Sequence, residues 1–244
     1  MAAANVTPMV QQYMAVKQEH QNELLFFRLG DFYEMFFDDA LTASRELNLT
    51  LTKRSNGMEN MPMCGVPYHS VDGYIAKLIK KGYRIAICEQ VEDPKLAKGI
   101  VERKVIKIIT PGTALNEQLL EDKHNRYLVF LQQDQDKGLC LVAADVTTGE
   151  CEWFLDQTPE SFLNITEQLY RLQPAELVVR LASDDTRDKL QEWLAARLPE
   201  CVVTRYEESA PDADYFAQHF AGNDVPDEVH STVELLLRYL HGTV

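Results

Sequence analysis

The sequence predicts an α/β protein of two domains, and three observations lead to this prediction. Strand-like and helix-like segments alternate along the chain, which is typical of a mixed sheet covered by helices. The charge is uneven, since residues 1–115 contain 14 Lys and Arg against 13 Asp and Glu, whereas residues 116–244 contain 10 against 25. Residues 116–125 are polar and carry no strand pattern. We therefore predict domains at 1–115 and 126–244 with a linker at 116–125.

The first domain is predicted to alternate helices and strands from its start. Helix-start signals predict helices at residues 8–20, 39–47 and 71–81. The first signal is Thr7 before Pro8, and the second is Asp38 or Asp39 as a helix cap. Apolar runs predict strands at residues 24–27, 48–53, 83–91 and 101–110. Residues 62–69 contain two prolines and a glycine, and they are predicted to form a rigid loop.

The second domain is predicted to begin with an antiparallel meander. Three strand patterns are separated by turn signals, at residues 126–133, 138–147 and 150–155. Helix and strand patterns then alternate, with helices at 158–172, 184–198, 213–220 and 228–241 and strands at 176–181 and 201–206. Three meander strands followed by alternating strands and helices predict a ribonuclease-H-like α/β layout.

Composition excludes several classes of protein. No apolar run approaches the length of a membrane span, and the first residues lack the pattern of a secretory signal, so we expect a cytoplasmic protein with no membrane partner. The five cysteines are scattered and include no Cys-x-x-Cys pair, so neither a zinc site nor a disulfide framework is predicted. Only the first domain has a charge balance suited to approaching a polyanion.

The segment of residues 28–40 contains the most informative pair of side chains, Phe32 and Glu34. If the backbone stays extended through residue 34, these two side chains share one face with Phe26 and Arg28. Gly30 would then remove a side chain where the backbone approaches a partner closely. An aromatic wedge beside a hydrogen-bonding group suits a probe of how easily DNA kinks. The alternative interpretation is that Phe32 is a core residue and Glu34 a solvated charge.

Four motifs together resemble the amino-terminal part of the MutS family of DNA mismatch-repair proteins. They occur in order at residues 28–40, 51–54, 62–69 and 101–113, and the resemblance is strong over residues 7–115 and looser beyond. It implies that Phe32 stacks on a mispaired or unpaired base and that Glu34 hydrogen-bonds to that base. It also implies that the second half is a connector domain. Such a domain transmits the conformational state between the DNA-binding and ATPase parts, and it contacts a downstream repair protein.

The expected partner is double-stranded DNA containing mismatches or small loops, bound by a chain that is monomeric in isolation. The candidate contacts to the DNA backbone are Lys53, Arg54, His69, Arg103, Lys104 and Lys107. For each cation a solvated surface position is an equally good interpretation. The resemblance adds Met63 as a possible contact in the minor groove.

A carboxylate at Glu34 needs a physical explanation, because phosphates repel it. It can accept a hydrogen bond from a base, or it can become protonated and donate one, since nearby phosphates and desolvation both favour the neutral form. A mismatch stacks poorly and bends at lower cost than a matched pair. Discrimination is therefore expected to come from the deformability of DNA more than from the edges of the bases.

The predicted function is not enzymatic. No Gly-x-x-x-x-Gly-Lys-Ser/Thr motif occurs, and the ATP and Mg²⁺ sites of the full-length family proteins are expected to lie outside this sequence. We predict no catalytic residue, resident metal or cofactor in these residues. One alternative is a metal-dependent nuclease that uses Asp145, with Glu176, Asp184 and Asp185 as further ligands. Another is a purely structural interaction domain.

Overall fold

The computed structural model describes residues 7–54, 61–92, 99–114, 126–134, 138–207 and 225–243. These ranges form two compact units, of which the first contains the described residues up to Thr110 and the second those from Pro111 to Thr243. Each unit is built on one mixed sheet with helices packed against it, which confirms the predicted α/β class. The predicted linker at 116–125 lies outside the described residues. No helix in the described ranges is long and apolar enough to cross a membrane.

The first unit has a six-stranded sheet. Its strands are β1 (Leu24–Leu29), β2 (Phe32–Phe36), β3 (Thr52–Arg54), β4 (Met61–Pro67), β5 (Ile85–Gln90) and β6 (Arg103–Ile109). They lie in the order β3-β4-β2-β1-β5-β6, so that β3 and β6 form the two edges. The pair β1 and β5 is parallel, and the other neighbouring strands are antiparallel.

Helices cover both faces of this sheet. The helices are α1 (Pro8–Glu19), α2 (Phe37–Leu47) and α3 (Val71–Ile79), and a short 3₁₀ turn (Tyr68–Ser70) precedes α3. On one face, Val10 and Tyr13 of α1 pack against Leu25, Phe27 and Phe36. On the other face, α2 packs through Ala40 and Ala43, and the Sγ of Cys64 donates to the carbonyl oxygen of Ala40 at 3.5 Å.

Asp39 joins α1, β1 and α2, and it is not the helix cap that its sequence context predicts. The N-cap position of α2 is Phe36, and Asp39 is a buried residue of the first turn. Its carboxylate accepts hydrogen bonds from Tyr13 Oη (3.1 Å) and from the backbone N–H of Leu25 (3.0 Å), and it pairs with Lys17 Nζ at 2.9 Å. Burial and the neighbouring Asp39 charge both raise the pKa of Tyr13. The carboxylate of Asp39 therefore connects α2 to α1 and to β1.

The prediction of a rigid loop at residues 62–69 is wrong over most of its length. Residues Met61–Pro67 form β4, which pairs with both β2 and β3. Pro62 and Pro67 occupy the second and the last positions of this strand, near its two ends. Proline lacks a backbone donor, and a strand accepts it most easily at such positions.

The second unit has a five-stranded sheet with helices on both faces. Its elements are β7 (Tyr127–Asp134), β8 (Gly138–Asp145), β9 (Glu150–Asp156), α4 (Ser161–Leu172), β10 (Glu176–Arg180), α5 (Asp184–Arg197), β11 (Val202–Arg205) and α6 (Asp227–Thr243). The strand order is β11-β10-β7-β8-β9; β7, β8 and β9 form an antiparallel meander, and β7, β10 and β11 are parallel. This arrangement confirms the predicted ribonuclease-H-like layout. The helix predicted at 213–220 lies outside the described residues.

Two hydrophobic cores lie on opposite faces of this second sheet. One contains Ile165 and Leu169 of α4 and Leu190 and Leu194 of α5, and Trp193 packs against it. The other core is formed by α6 against the opposite face. The remaining tryptophan, Trp153, is exposed on the edge strand β9.

Candidate nucleic-acid interface

A tight hairpin turn presents Phe32 at the surface of the first unit. Leu29 and Phe32 are paired across the hairpin, so Gly30 and Asp31 alone form the loop between β1 and β2. Gly30 has a φ of 58°, in the left-handed region that such short hairpin loops require and that glycine adopts without strain. The Phe32 side chain is 47% exposed. The interpretation of Phe32 as a core residue is therefore wrong.

Glu34 shares its sheet face with Phe32, because the two residues alternate along β2 with Tyr33 between them. Across the sheet, Glu34 is paired with Phe27 on β1 and with Gly65 on β4. Phe27 is packed under α1. Gly65 contributes no side chain, and the Glu34 side chain lies close to it, since a Cβ at Gly65 would be 3.5 Å from Cγ of Glu34. The result is an aromatic ring and a carboxylate side by side on one face of the sheet.

The turn changes which residues belong to that face. Continuous extension through residue 34 was the basis for grouping Phe26 and Arg28 with Phe32, and that grouping is wrong. Because the chain reverses at Gly30, Arg28 is paired with Tyr33 and lies on the opposite face of the sheet. Met63 belongs to the Phe32 face, since it is paired with Phe36, and it is half-buried at the edge of the core under α1.

We expect Gly65→Ala to destabilise the first unit by about 1 kcal/mol, because the added methyl group overpacks this position. A Cβ at Gly65 would lie 3.2 Å from the carbonyl oxygen of Tyr33 and 3.5 Å from Cγ of Glu34. Thermal unfolding measures this loss as a fall in Tm of about 4–8 °C. The control is Gly99→Ala, where no described atom lies within 4 Å of the added Cβ. Equal melting temperatures for both variants would show that Gly65 is not required for packing.

The opposite face of the hairpin carries a network centred on Arg28. The guanidinium donates from Nε to the carbonyl oxygen of Gly30 at 2.6 Å and lies 3.4 Å from Oε1 of Glu89. Its central carbon is 3.9 Å from the ring centroid of Tyr68 and 5.5 Å from that of Tyr33. The Tyr33 hydroxyl donates a hydrogen bond to the Glu89 carboxylate. Burial, and to a smaller extent this carboxylate, raise the pKa of Tyr33 to about 12. Tyr33 therefore remains a neutral donor near neutral pH.

The candidate cations of the first unit do not form one cluster. Lys53 and Arg54 lie in the edge strand β3, whereas Lys104 and Lys107 lie in the opposite edge strand β6. Five strand spacings separate the two edges, which is roughly 24 Å in the plane of the sheet. Lys53 and Lys104 are exposed, and Lys104 is 3.0 Å from Glu102. Any contact to DNA by these residues would therefore involve two separate parts of the backbone.

Arg103 has a structural position that its sequence context did not indicate. Arg103 is only 7% exposed, and its guanidinium carbon lies 5.2 Å from the ring centroid of Phe27. Nε donates to the carbonyl oxygen of Arg28 at 2.6 Å, and Nη1 donates to Gln12 Oε1 at 3.1 Å. Nη1 also donates to the carbonyl oxygen of Val101 at 2.8 Å, so internal bonds use three of the five N–H donors of this buried guanidinium. We therefore remove Arg103 from the candidate contacts to the DNA backbone.

His69 lies close to the turn that presents Phe32. Its imidazole ring is exposed in the 3₁₀ turn and meets the ring of Tyr68 edge-on, with 5.8 Å between centroids. The backbone N–H of Tyr68 donates to the carbonyl oxygen of Asp31 at 3.0 Å, which attaches the 3₁₀ turn to the hairpin turn. The structure thus brings His69 and Phe32 to the same end of the sheet. Their separation in the sequence gave no indication of this.

The carboxylates of the nuclease alternative are occupied by structural contacts. Asp145 is 1% exposed, and its Oδ1 accepts hydrogen bonds from Thr147 N (2.8 Å), Thr147 Oγ1 (2.6 Å) and Thr148 N (3.4 Å). Burial by itself would raise the pKa of Asp145, but these hydrogen bonds outweigh it and hold that pKa below its usual value. Asp145 therefore closes the turn between β8 and β9.

The other proposed ligands also have partners within the second unit. Glu176 accepts hydrogen bonds from Thr204, Tyr239 and the backbone N–H of Gly112. Asp184 and Asp185 form ion pairs with basic residues of their own helix. Within the described ranges, no group of three or more His, Cys, Asp or Glu side chains is arranged to hold a metal ion. The structure therefore gives the nuclease alternative no support.

Sequence reasoning missed the residues that brace the hairpin. Arg28 and Tyr68 are 40 positions apart in the chain, and Glu89 lies farther along still. The loop itself was recognisable, because Gly30 and Asp31 stand between two apolar runs, a pattern typical of two-residue hairpin loops. No local signal identifies the distant partners.

Comparisons with known proteins place the candidate interface inside a matched domain. The sequence model described as MutS domain I matches residues 7–118. A protein of Staphylococcus epidermidis called DNA mismatch repair protein MutS is 44% identical over 243 residues, which cover 98% of this chain and 26% of that protein.

Two further relatives bear the same name. The protein of Desulforamulus reducens is 46% identical over 211 residues, which cover 86% of this chain and 24% of that protein. The protein of Lachnoclostridium phytofermentans is 52% identical over 177 residues, with coverages of 72% and 18%. The chain thus spans about a quarter of the length of the curated relatives it matches.

Proposed function

Because the chain belongs to the MutS family of DNA mismatch-repair proteins, we propose that its first unit recognises mispaired bases and small loops in duplex DNA. In this proposal, Phe32 stacks on the mispaired or unpaired base and Glu34 hydrogen-bonds to it. The observation that supports it best is the exposed Phe32 ring at a braced hairpin turn, with Glu34 on the same face.

The mechanism uses the difference in stiffness between matched and mismatched DNA. An aromatic side chain that enters a base step partly unstacks it, which costs a few kcal/mol and kinks the duplex. That cost is lower at a mismatch, because the mispaired bases already stack poorly. Glu34 adds selectivity, because phosphates repel its carboxylate in every complex and a hydrogen bond from a mispaired base offsets this repulsion.

We propose a different role for the second unit, that of a connector. It carries most of the negative charge of the chain, with 25 Asp and Glu against 10 Lys and Arg beyond residue 115, so DNA would repel it. A surface of this kind suits contact with protein, here the other domains of a longer chain or a downstream repair protein. ATP and Mg²⁺ would bind outside these 244 residues, and the proposed module is itself not enzymatic.

Binding of this chain to DNA is expected to be weak and to fall steeply with salt. The remaining candidate cations are Lys53, Arg54, Lys104 and Lys107. If about four phosphates are neutralised, raising the salt from about 50 mM to about 200 mM should lower the affinity by about a hundredfold. Fluorescence anisotropy with labelled duplexes measures this change. Submicromolar binding that does not depend on salt would contradict the assignment of these cations.

The same titration tests the proposed function when it is run with three duplexes. One is fully matched, one contains a single mismatch, and one contains a single unpaired base. The proposal requires tighter binding of the second and third duplexes at both salt concentrations, because the wedge acts on base stacking and not on charge. Equal affinity for all three would exclude a recognition role for this chain.

A further inference from the structure

Arg28 occupies a position that suits support of the hairpin and not contact with DNA. It lies on the sheet face opposite Phe32 and Glu34, directly across the hairpin from Tyr33. Its side chain is 17% exposed, and Glu89 is close enough to balance its charge, with 3.4 Å between Nη1 and Oε1. A guanidinium that is largely buried and already paired with a carboxylate is poorly suited to bind a phosphate.

Both residues of the turn are attached to this one guanidinium. Gly30 is held directly, because its carbonyl oxygen accepts the 2.6 Å hydrogen bond from Arg28 Nε. Asp31 is held through Tyr68, whose backbone N–H donates to the Asp31 carbonyl oxygen and whose ring lies against the guanidinium. The contact between the guanidinium and the ring is attractive, since a cation is drawn to the face of an aromatic ring.

The backbone of Arg28 is fixed as well. Its carbonyl oxygen accepts the 2.6 Å hydrogen bond from Nε of Arg103, a side chain that is itself buried against Phe27. The strand that leads into the turn is therefore anchored from the side of α1, while the Arg28 side chain anchors the turn from the other side of the sheet.

We propose that Arg28 is a positioning residue for mismatch recognition, which holds the turn of Gly30 and Asp31 so that Phe32 is already ordered when it meets DNA. This inference rests on the proposed function of Phe32. An ordered side chain avoids the conformational entropy that binding would otherwise cost. Matched DNA does not admit the wedge, so its affinity should not depend on Arg28.

The test compares Arg28→Gln and Arg28→Lys with the control Arg45→Gln. Arg45 is exposed on α2, where it pairs with its neighbour Glu46, so its replacement removes the same charge from the same unit. Arg28→Gln should lower the mismatch-to-match affinity ratio by about fivefold, which is the effect expected from losing a partly desolvated cation–π contact. It should leave the affinity for matched DNA unchanged. Arg28→Lys should not restore the ratio, because lysine lacks the planar fork. The control should leave the ratio unchanged.

A second measurement needs no DNA. Amide hydrogen exchange at Tyr68 reports the bond to Asp31, and it should become about fivefold faster in both Arg28 variants as the turn loosens. Exchange at Leu25, whose N–H donates to Asp39, should stay unchanged. Unchanged exchange at Tyr68 would overturn the inference.

The outcomes separate this inference from the proposed function. Matched affinity that falls in Arg28→Gln and recovers in Arg28→Lys would identify a phosphate contact and overturn the positioning role. A mismatch-to-match affinity ratio that is the same in Arg28→Gln as in the unaltered chain would overturn the inference about Arg28 alone. An unaltered chain with no mismatch preference would overturn the proposed function, and the role of Arg28 in recognition with it.

Discussion

Phe32→Ala is expected to remove the preference for mismatched over matched duplexes while leaving the first unit folded. The substitution deletes the aromatic surface on which a base would stack, and such stacking contributes about 1–3 kcal/mol. The mismatch-to-match affinity ratio should therefore fall by about 5- to 150-fold. Binding to matched DNA should change little, because the wedge does not enter a well-stacked step.

The melting temperature distinguishes this role from a packing role. A buried phenylalanine replaced by alanine costs about 3–5 kcal/mol, but Phe32 is half-exposed and should cost far less. Tyr170→Ala, which removes an exposed aromatic ring from α4 of the second unit, is the control. If Phe32→Ala unfolds the domain, or if it leaves the affinity ratio as it was, the wedge role is wrong.

Asp39→Ala is expected to destabilise the first unit by about 3 kcal/mol or more, the largest stability effect that we expect. It leaves the ammonium group of Lys17 without its carboxylate and the N–H of Leu25 without its side-chain acceptor. It also removes one of the two acceptors of the Tyr13 hydroxyl, which keeps the carbonyl oxygen of Phe36 at 3.3 Å. Removing one member of a buried ion pair typically costs 3–5 kcal/mol, and each buried donor left without a partner adds to the loss. Urea denaturation monitored by circular dichroism measures the change in the free energy of unfolding.

The neighbouring residue provides a matched control. Asp38 lies in the same first turn of α2 and carries the same charge, but it is exposed. Asp38→Ala should cost less than about 1 kcal/mol, the contribution of an acidic side chain near a helix N-terminus. Similar losses for the two variants would mean that the charge near the helix end matters and that the buried contacts of Asp39 do not.

The sequence was sufficient to predict most of the fold. The meander of β7, β8 and β9 and the helices α4 and α5 were predicted closely, because apolar periodicity and turn residues are local signals. The strand β4 was missed, because Pro62 and Pro67 count against a strand in any local rule. Its place between β2 and β3 depends on pairing with residues that are distant in the sequence.

The candidate site was predicted less completely, for the same reason. Phe32 and Glu34 were identified, and their proposed roles stay predictions that the binding experiments test. Arg103 shows the limit most clearly, since its partners Gln12 and Arg28 are 91 and 75 residues away in the chain. No local pattern distinguishes an arginine enclosed by such partners from one that lies on the surface.

The position of the tryptophans has a consequence for the spectroscopy of these variants. Both tryptophans of the chain, Trp153 and Trp193, belong to the second unit. Intrinsic fluorescence excited at the red edge of tryptophan absorption will therefore follow the unfolding of the second unit only. Circular dichroism and calorimetry record both units, and two units need not unfold in one cooperative transition. A fluorescence curve that Asp39→Ala leaves unshifted, beside a shifted dichroism curve, would assign the early transition to the unit that carries Phe32.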